Sequence, residues 1–92
     1  RLARLNADLT LDPTFLPAQA SNTVLRLALD SLGRIYVQGS FFNFDGQLGY
    51  SNFVRLAADG ALDLGYKPSL SSSITGMRVV AQDRLLLAGS LL

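Results

Sequence analysis

The sequence contains no cysteine and no histidine among its 92 residues. Without cysteine, the chain can form neither a disulfide framework nor a thiolate nucleophile. Without histidine as well, the usual zinc sites and the Ser-His-Asp and Cys-His catalytic systems are excluded. We therefore expect that the protein is not an enzyme, with no catalytic residue, no metal site and no cofactor.

Charge is scarce, and long hydrophobic runs are absent. Charged residues make up 16% of the chain, and they nearly cancel to a net charge of +1. A balanced chain of this kind does not indicate a nucleic-acid partner. No apolar run approaches the roughly 20 residues of a membrane-spanning helix, so we expect no membrane insertion. The hydrophobic content of 49% predicts a folded domain and not a disordered chain.

What the sequence does contain is an internal repeat of about 50 residues. "RLNADLTLDPTFLP" (4–17) aligns with "RLAADGALDLGYKP" (55–68) at an offset of 51, and "GRIYVQGSFF" (33–42) aligns with "DRLLLAGSLL" (83–92) at an offset of 50. The identical pairs are Arg4/Arg55, Leu5/Leu56, Ala7/Ala58, Asp8/Asp59, Leu11/Leu62, Asp12/Asp63, Pro17/Pro68, Arg34/Arg84, Gly39/Gly89 and Ser40/Ser90. The conservative pairs are Phe15/Tyr66, Val24/Ile74, Leu27/Met77 and Leu29/Val79.

The first part of each repeat predicts a β-hairpin. "VLRLALD" (24–30) alternates with a period of two, which places Leu25, Leu27 and Leu29 on a buried face and Arg26 on the other. "RIYVQGSFF" returns after the tight turn "SLG", and its near-continuous apolar character predicts a strand covered on both faces, as does that of 84–92.

The second part predicts another hairpin, from "NFVRL" (52–56) through the turn "AADG" (57–60) to "ALDLGY" (61–66). Four short antiparallel strands in a repeat of about 50 residues are typical of a β-propeller blade, whereas a β-solenoid coil is shorter and an immunoglobulin-like sandwich has no internal repeat. The sequence thus predicts an all-β fragment of one propeller domain, about two blades over 1–92: a half-blade at 1–17, a complete blade at 24–68 and a half-blade at 74–92.

These motifs resemble the bacterial delta-60 repeat, a β-propeller unit. "RLNADLTLDPTF" and "VLRLALDSLGRIYVQGSFFNFDG" are similar to its pattern R-L-N-x-D-G-x-L-D-x-x-F, a spacer, and V-x7-D-G-K-I-x-V-G-G-x-F. The resemblance implies a structural or interaction module within a larger exported or cell-surface bacterial protein. Leu9 departs from the pattern, since it stands where the family and the second copy (Gly60) have a turn glycine. A left-handed leucine costs about 1–2 kcal/mol, so we expect the first hairpin to turn differently.

The recurring aspartates, Asp8/Asp59 and Asp12/Asp63, have two interpretations. They could be calcium ligands, but a calcium site needs six to eight oxygens, usually from closely spaced side chains, and each copy supplies only two carboxylates. The favoured interpretation is that Asp8 and Asp59 hydrogen-bond within their own turns and that Asp12 and Asp63 begin the returning strand.

Two further groups are candidate functional residues. The polar loop "NFDGQLGYSN" (43–52) carries Asn43, Asp45, Gln47 and Tyr50, which could bind a glycan or a peptide or could merely connect two strands. An enzyme with a central propeller site is the less favoured alternative. Its only candidate residues near the innermost strands are Arg26, Asp30, Arg78 and Asp83.

The predicted half-blades at the two ends complement each other. Two blades cannot close a ring, because propellers take about four to eight. We therefore expect the partners to be other blades of the same propeller, either from a longer chain or from copies joined head to tail.

Overall fold

The computed structural model describes residues 2–41, 43–67 and 74–89. Over these ranges the fold is all-β, as predicted, with antiparallel pairing throughout. The strands are β1 (Thr23–Leu29), β2 (Ile35–Ser40), β3 (Asn43–Phe44), β4 (Gln47–Leu48), β5 (Phe53–Leu56), β6 (Ile74–Val80) and β7 (Arg84–Gly89). No helix in the described ranges is long and apolar enough to cross a membrane. Some predictions lie outside the described residues: those that concern Phe42, residues 68–73 and residues 90–92.

The central blade is a sheet in the order β1-β2-β5. Its fourth strand is present only as the bridge between Leu56 and Leu62. The hairpin to this strand is closed by backbone bonds, including Ala57 N to the Ala61 carbonyl at 2.8 Å and Asp63 N to the Arg55 carbonyl at 2.9 Å. The four-stranded pattern is therefore recognisable, with a fourth strand that a turn at 64–65 ends early.

The predicted hairpin of the first repeat half occurs twice with the same register. Val24 opposes Gly39 in the β1–β2 pair, Ile74 opposes Gly89 in the β6–β7 pair, and an irregularity follows directly in each. At Gly39 the strands approach so closely that a Cβ would lie 2.2 Å from the Thr23 carbonyl oxygen. Only glycine fits at position 39, and Gly89 in the equivalent position has φ of 140°, a region that favours glycine.

The N-terminal segment repeats the second hairpin. Leu5 and Leu11 form a bridge, Asn6 N donates to the Thr10 carbonyl at 2.8 Å, and Leu9 N donates to the Asn6 carbonyl at 2.9 Å. The expectation that this hairpin turns differently is wrong. Leu9 has φ of 75° and takes the left-handed position of Gly60, because the same backbone bonds close both turns.

Two hydrophobic clusters lie on opposite faces of the central blade. Ile35, Val37, Val54 and Leu56 face the first, and Tyr36 and Phe53 face the second, as alternation along β2 and β5 requires. The first cluster also contains Phe15, Ala18, Phe41, Phe44 and Tyr50. In the second cluster, Ile74 and the partly buried Met77, Val79, Leu85 and Leu87 pack the β6–β7 hairpin against the blade.

The expected burial of β1 is wrong. Leu25, Leu27 and Leu29 are 55%, 50% and 62% exposed, although Leu27 and Leu29 do share the face of their partners Val37 and Ile35. Among the described residues, only the N-terminal segment lies against this face, so most of β1 is uncovered there. The strand β2 is buried on both faces, as predicted. The same prediction is wrong for β7, which is partly covered on one face and exposed on the other.

Candidate functional site

The Arg–Asp pairs of the two copies form the same ion pair. Arg4 Nε lies 2.9 Å from Asp12 Oδ2, and Arg55 Nη2 lies 2.6 Å from Asp63 Oδ2. Each pair spans the two strands of one hairpin, since Asp12 N and Asp63 N also donate to the carbonyl of the partner arginine. The hydrogen bond from Arg55 is the main cause that holds the pKa of Asp63 below its ordinary value.

An aromatic ring completes each pair. The Arg4 guanidinium lies 4.7 Å from the Phe15 ring centroid, and that of Arg55 lies 4.1 Å from the Tyr66 ring centroid. These distances are within the range of a cation–π interaction. We call each set an Arg–Asp–aromatic clasp. The first clasp is Arg4, Asp12 and Phe15, and the second is Arg55, Asp63 and Tyr66.

Asp8 and Asp59 hydrogen-bond within their own turns, as the favoured interpretation predicts. The expectation that Asp12 and Asp63 begin a returning strand is wrong, because each follows a single bridge residue and its carboxylate accepts from the backbone N–H two residues on, which opens a turn. Asp8 Oδ1 accepts from Thr10 N at 3.1 Å, and Asp59 Oδ1 accepts from Ala61 N at 3.0 Å. The hydrogen bond from the Thr10 hydroxyl lowers the pKa of Asp8. Within the described ranges, no group of three or more acidic, cysteine or histidine side chains is arranged to hold a metal ion.

Asp30 organises the turn of the β1–β2 hairpin. Its side chain is fully buried, and it accepts from Leu32 N, Arg34 N, Arg34 Nε and the Tyr36 hydroxyl at 2.6–3.0 Å. Burial alone would raise the pKa of Asp30. The hydrogen bonds from Arg34, Tyr36 and Leu32 outweigh burial, so the pKa lies below its ordinary value. Because all four donors belong to the same hairpin, the Asp30 carboxylate stabilises its own turn.

Two of the other residues proposed for a central enzymatic site, Asp83 and Arg26, contact neighbouring elements. Asp83 accepts from Ser31 N at 3.0 Å and from the Ser31 hydroxyl at 2.5 Å, which joins the two inner turns. Arg26 donates to Gln38 at 3.1 Å and to the Ile74 carbonyl at 3.3 Å. Arg78 is exposed on β6. The structure thus disperses these side chains. Arg26 and Asp83 lie at the contact between the blade and the β6–β7 hairpin, and Arg78 lies outside this contact.

The sequence analysis did not predict the hydrogen bonds between Asp83 and Ser31. Gln82 and Asp83 both have positive φ, 63° and 56°, so the short 3-10 turn Ala81–Asp83 that links β6 to β7 contains two left-handed residues. Asp83 occupies the repeat position of Gly33, whose φ is 78°. The sequence contained a signal for this turn, since aspartate tolerates the left-handed region and stands here where the other copy has glycine.

The four candidate residues of the 43–52 loop are separated by burial. Asp45 and Gln47 are exposed, and Asn43 is half-buried. Tyr50 is buried in the first cluster, its hydroxyl donates to the Leu64 carbonyl at 2.7 Å, and Lys67 Nζ lies 4.8 Å from its ring centroid. Their role in ligand binding stays a prediction.

The loop itself is a small hairpin that the sequence interpretation missed. Asp45 and Gly46 have φ of 53° and 74°, the two positive values of a type I′ turn, and they join β3 to β4. The Asp-Gly dipeptide is the usual signal for this turn and was available. A bridge from Ala20 to Phe44 anchors the hairpin to the first cluster.

Twisted antiparallel strands that stack face to face through repeated hairpins define a class of protein, the β-propeller. A family model described as a domain of unknown function (DUF5122) β-propeller matches residues 1–15 and 33–66, just over half of the chain. The chain belongs to this β-propeller family. The two matched segments contain the two Arg–Asp–aromatic clasps. No curated protein and no solved structure matches the chain.

Proposed function

We propose that the chain is a non-enzymatic structural and interaction module, made of propeller blades of the delta-60 type in a larger exported or surface bacterial protein. One observation carries the proposal: the charged residues that recur in both repeats are engaged in the Arg–Asp–aromatic clasps and in local turns. Carboxylates held in this way stabilise hairpins, and they present no free pair for acid–base chemistry.

Stacking of blades supports the same proposal. Met77 and Val79 of β6 and Leu85 and Leu87 of β7 pack against Tyr36 and its neighbours in the second cluster. The surface that a blade offers is therefore used to hold another repeat. On this basis the partners of the chain are other blades of the same propeller.

The test combines unfolding with a screen for turnover. Asp63→Asn removes the charged acceptor of Arg55, and we expect it to lower the free energy of unfolding by about 1–2 kcal/mol, since the pair is partly exposed. Asp12→Asn in the first clasp is the matched control. It should cost less, because Arg4 is 41% exposed and donates to Asp12 through Nε alone, whereas Arg55 donates to Asp63 through both Nε and Nη2. The proposal fails if a hydrolase or lyase screen finds turnover that depends on Asp12 or Asp63 in variants that remain folded.

A second candidate is a glycan- or peptide-binding propeller that uses the 43–52 loop. It is favoured by the exposure of Asp45 and Gln47 on a hairpin that a bridge anchors to the core. Glycan-array and peptide-array binding should be lost in the double variant Asp45→Ala/Gln47→Ala, with unchanged thermal unfolding as the control. Tyr50→Ala does not belong in this test, because the ring is part of the core. Binding that survives the double change rules out the loop as the site.

A further inference from the structure

One face of the central blade carries an uncovered apolar groove. Leu27 and Leu29 of β1 form one side, and Leu2 and Phe15 of the N-terminal segment form the other. Ile35 lies at its base, and the groove has a volume of about 160 Å³. Half-exposed leucines beside a buried aromatic ring are unusual for a face that meets only water.

The β6–β7 hairpin carries a second uncovered face. Arg78 opposes Leu86, and Gly76 opposes Ala88, so the four residues lie on one side of the hairpin. Leu86 is 61% exposed. The opposite side of the hairpin, with Met77 and Leu87, packs on the central blade. We call the uncovered side the hairpin face.

The two uncovered surfaces are repeat equivalents of surfaces that already contact each other. With the offset of 50, Leu27 and Leu29 correspond to Met77 and Val79, which pack on the central blade. With the same offset, Leu86 of the hairpin face corresponds to Tyr36, the residue against which Met77 and Val79 pack. The contact inside the chain is therefore the template for a contact between the hairpin face and the groove.

The strand edges fit the same template. In the central blade β2 pairs with β5, with Gln38 opposite Phe53 and Tyr36 opposite Arg55. Among the described residues, β7 has no strand partner beyond β6, and residues 2–5 pair only through the bridge between Leu5 and Leu11. The offsets of 50 and 51 place Ala88 opposite Leu2 and Leu86 opposite Arg4.

We propose that a second copy of this chain docks its hairpin face into the groove and pairs β7 with residues 2–5 in this register. The inference rests on the propeller module of the proposed function, and it commits to a second copy of this chain, not to a further blade of a larger protein, as the partner. Arg78 takes the position of Ala28, and its aliphatic stem can lie along Leu27 and Leu29 while its guanidinium stays in water. Each docking completes one blade and extends a sheet edge, as in strand addition. The contact is head to tail, and it repeats the blade-to-blade contact of a propeller, so we expect it to close into a ring of about four to eight blades, or two to four copies.

Disulfide trapping tests the register, because the chain has no cysteine. The pair Gln38–Phe53 neighbours the bond from Gly39 N to the Asn52 carbonyl, so it is a non-hydrogen-bonded pair, and the equivalent Ala88–Leu2 pair is one as well. Such Cα atoms lie about 4.5 Å apart, within reach of a disulfide. Leu2→Cys in one chain and Ala88→Cys in a second chain of different tag size should form a mixed disulfide under mild oxidation. Ala3→Cys with Ala88→Cys is the control, and it should crosslink about tenfold less because its side chain points to the opposite face.

Light scattering and a docking variant complete the test. The unmodified chain should show a discrete mass of two to four copies. Leu27→Asp should give a monomer with little change in thermal unfolding, because Leu27 is half exposed, whereas Leu64→Asp, on an exposed leucine of an outer turn, should leave the assembly intact. A monomeric unmodified chain, or equal crosslinking by the in-register and control pairs, overturns the inference. Neither result affects the unfolding test of the clasps, so the two failures are distinguishable.

Discussion

Leu9 is predicted to destabilise the hairpin in which it lies. Its φ of 75° falls in the left-handed region, and its side chain is 75% exposed, so it gains little from burial. A left-handed conformation costs a leucine about 1–2 kcal/mol. The repeat equivalent Gly60 has φ of 100° and is free of this cost.

Two substitutions should relieve the strain by different amounts. Leu9→Gly removes it but adds freedom to the unfolded chain, which takes back about 0.5–1 kcal/mol, so we expect a net gain of about 0.5–1 kcal/mol. Leu9→Asn introduces a residue that tolerates the left-handed region without adding that freedom to the unfolded chain, so the free energy of unfolding should rise by about 1 kcal/mol. For a domain of this size, a gain of 1 kcal/mol raises the melting temperature by about 4–8 °C.

The reciprocal change is the control. Gly60→Ala meets a strained φ and places a Cβ 2.7 Å from Pro17 Cα and 2.9 Å from the Leu16 carbonyl, so it should cost about 2–4 kcal/mol. Urea unfolding gives the free energies, and hydrogen exchange of the Leu9 amide, which donates to Asn6, reports the hairpin locally. If Leu9→Gly and Leu9→Asn both destabilise the chain and speed this exchange, the strain argument is wrong.

Three further outcomes are expected. Asp30→Asn places an amide donor against the donors of Arg34 and should lower the free energy of unfolding by about 2–4 kcal/mol, while an equally large loss with Asp59→Asn in the exposed turn would contradict the argument. The lowered pKa values of Asp30 and Asp63 mean that the folded chain binds fewer protons than the unfolded chain. Stability should therefore be fully present above about pH 5 and should fall as the pH drops below about 4; a flat acid titration of the melting temperature would refute this. Asp83→Ala should speed hydrogen exchange at the Ser31 amide, and unchanged exchange would show that the bond between the inner turns is not formed in solution.

The repeat made the hairpins and the propeller class predictable from the sequence. Alternation and turn residues predict β1, β2 and β5, and the identity of Arg55 and Asp63 with Arg4 and Asp12 marks positions that the structure uses in the same way twice. Such features are local or follow from the period of a strand, so a single sequence contains them.

The burial of the faces could not be predicted in the same way. Alternation placed Leu27 on one side and Arg26 on the other, but exposure depends on which other element lies against that side. The conformation of Leu9 was missed for a related reason, because the bonds that close the hairpin outweigh the preference of one residue. Both errors concern tertiary context, which local propensity does not contain.

The two copies differ on the face of the blade that receives the next repeat. The clasps keep their residue types, and the irregularity keeps its glycine, because an ion pair and a close backbone approach admit few alternatives. In contrast, Ala28 and Tyr36 on the receiving side of the central blade become Arg78 and Leu86 on the hairpin face. A clasp has to satisfy only its own hairpin, whereas a face has to fit the particular surface it meets. The opposite faces keep their apolar pairs, Leu27/Met77 and Leu29/Val79, so the changed residues of the receiving side are the ones that distinguish one blade contact from the next.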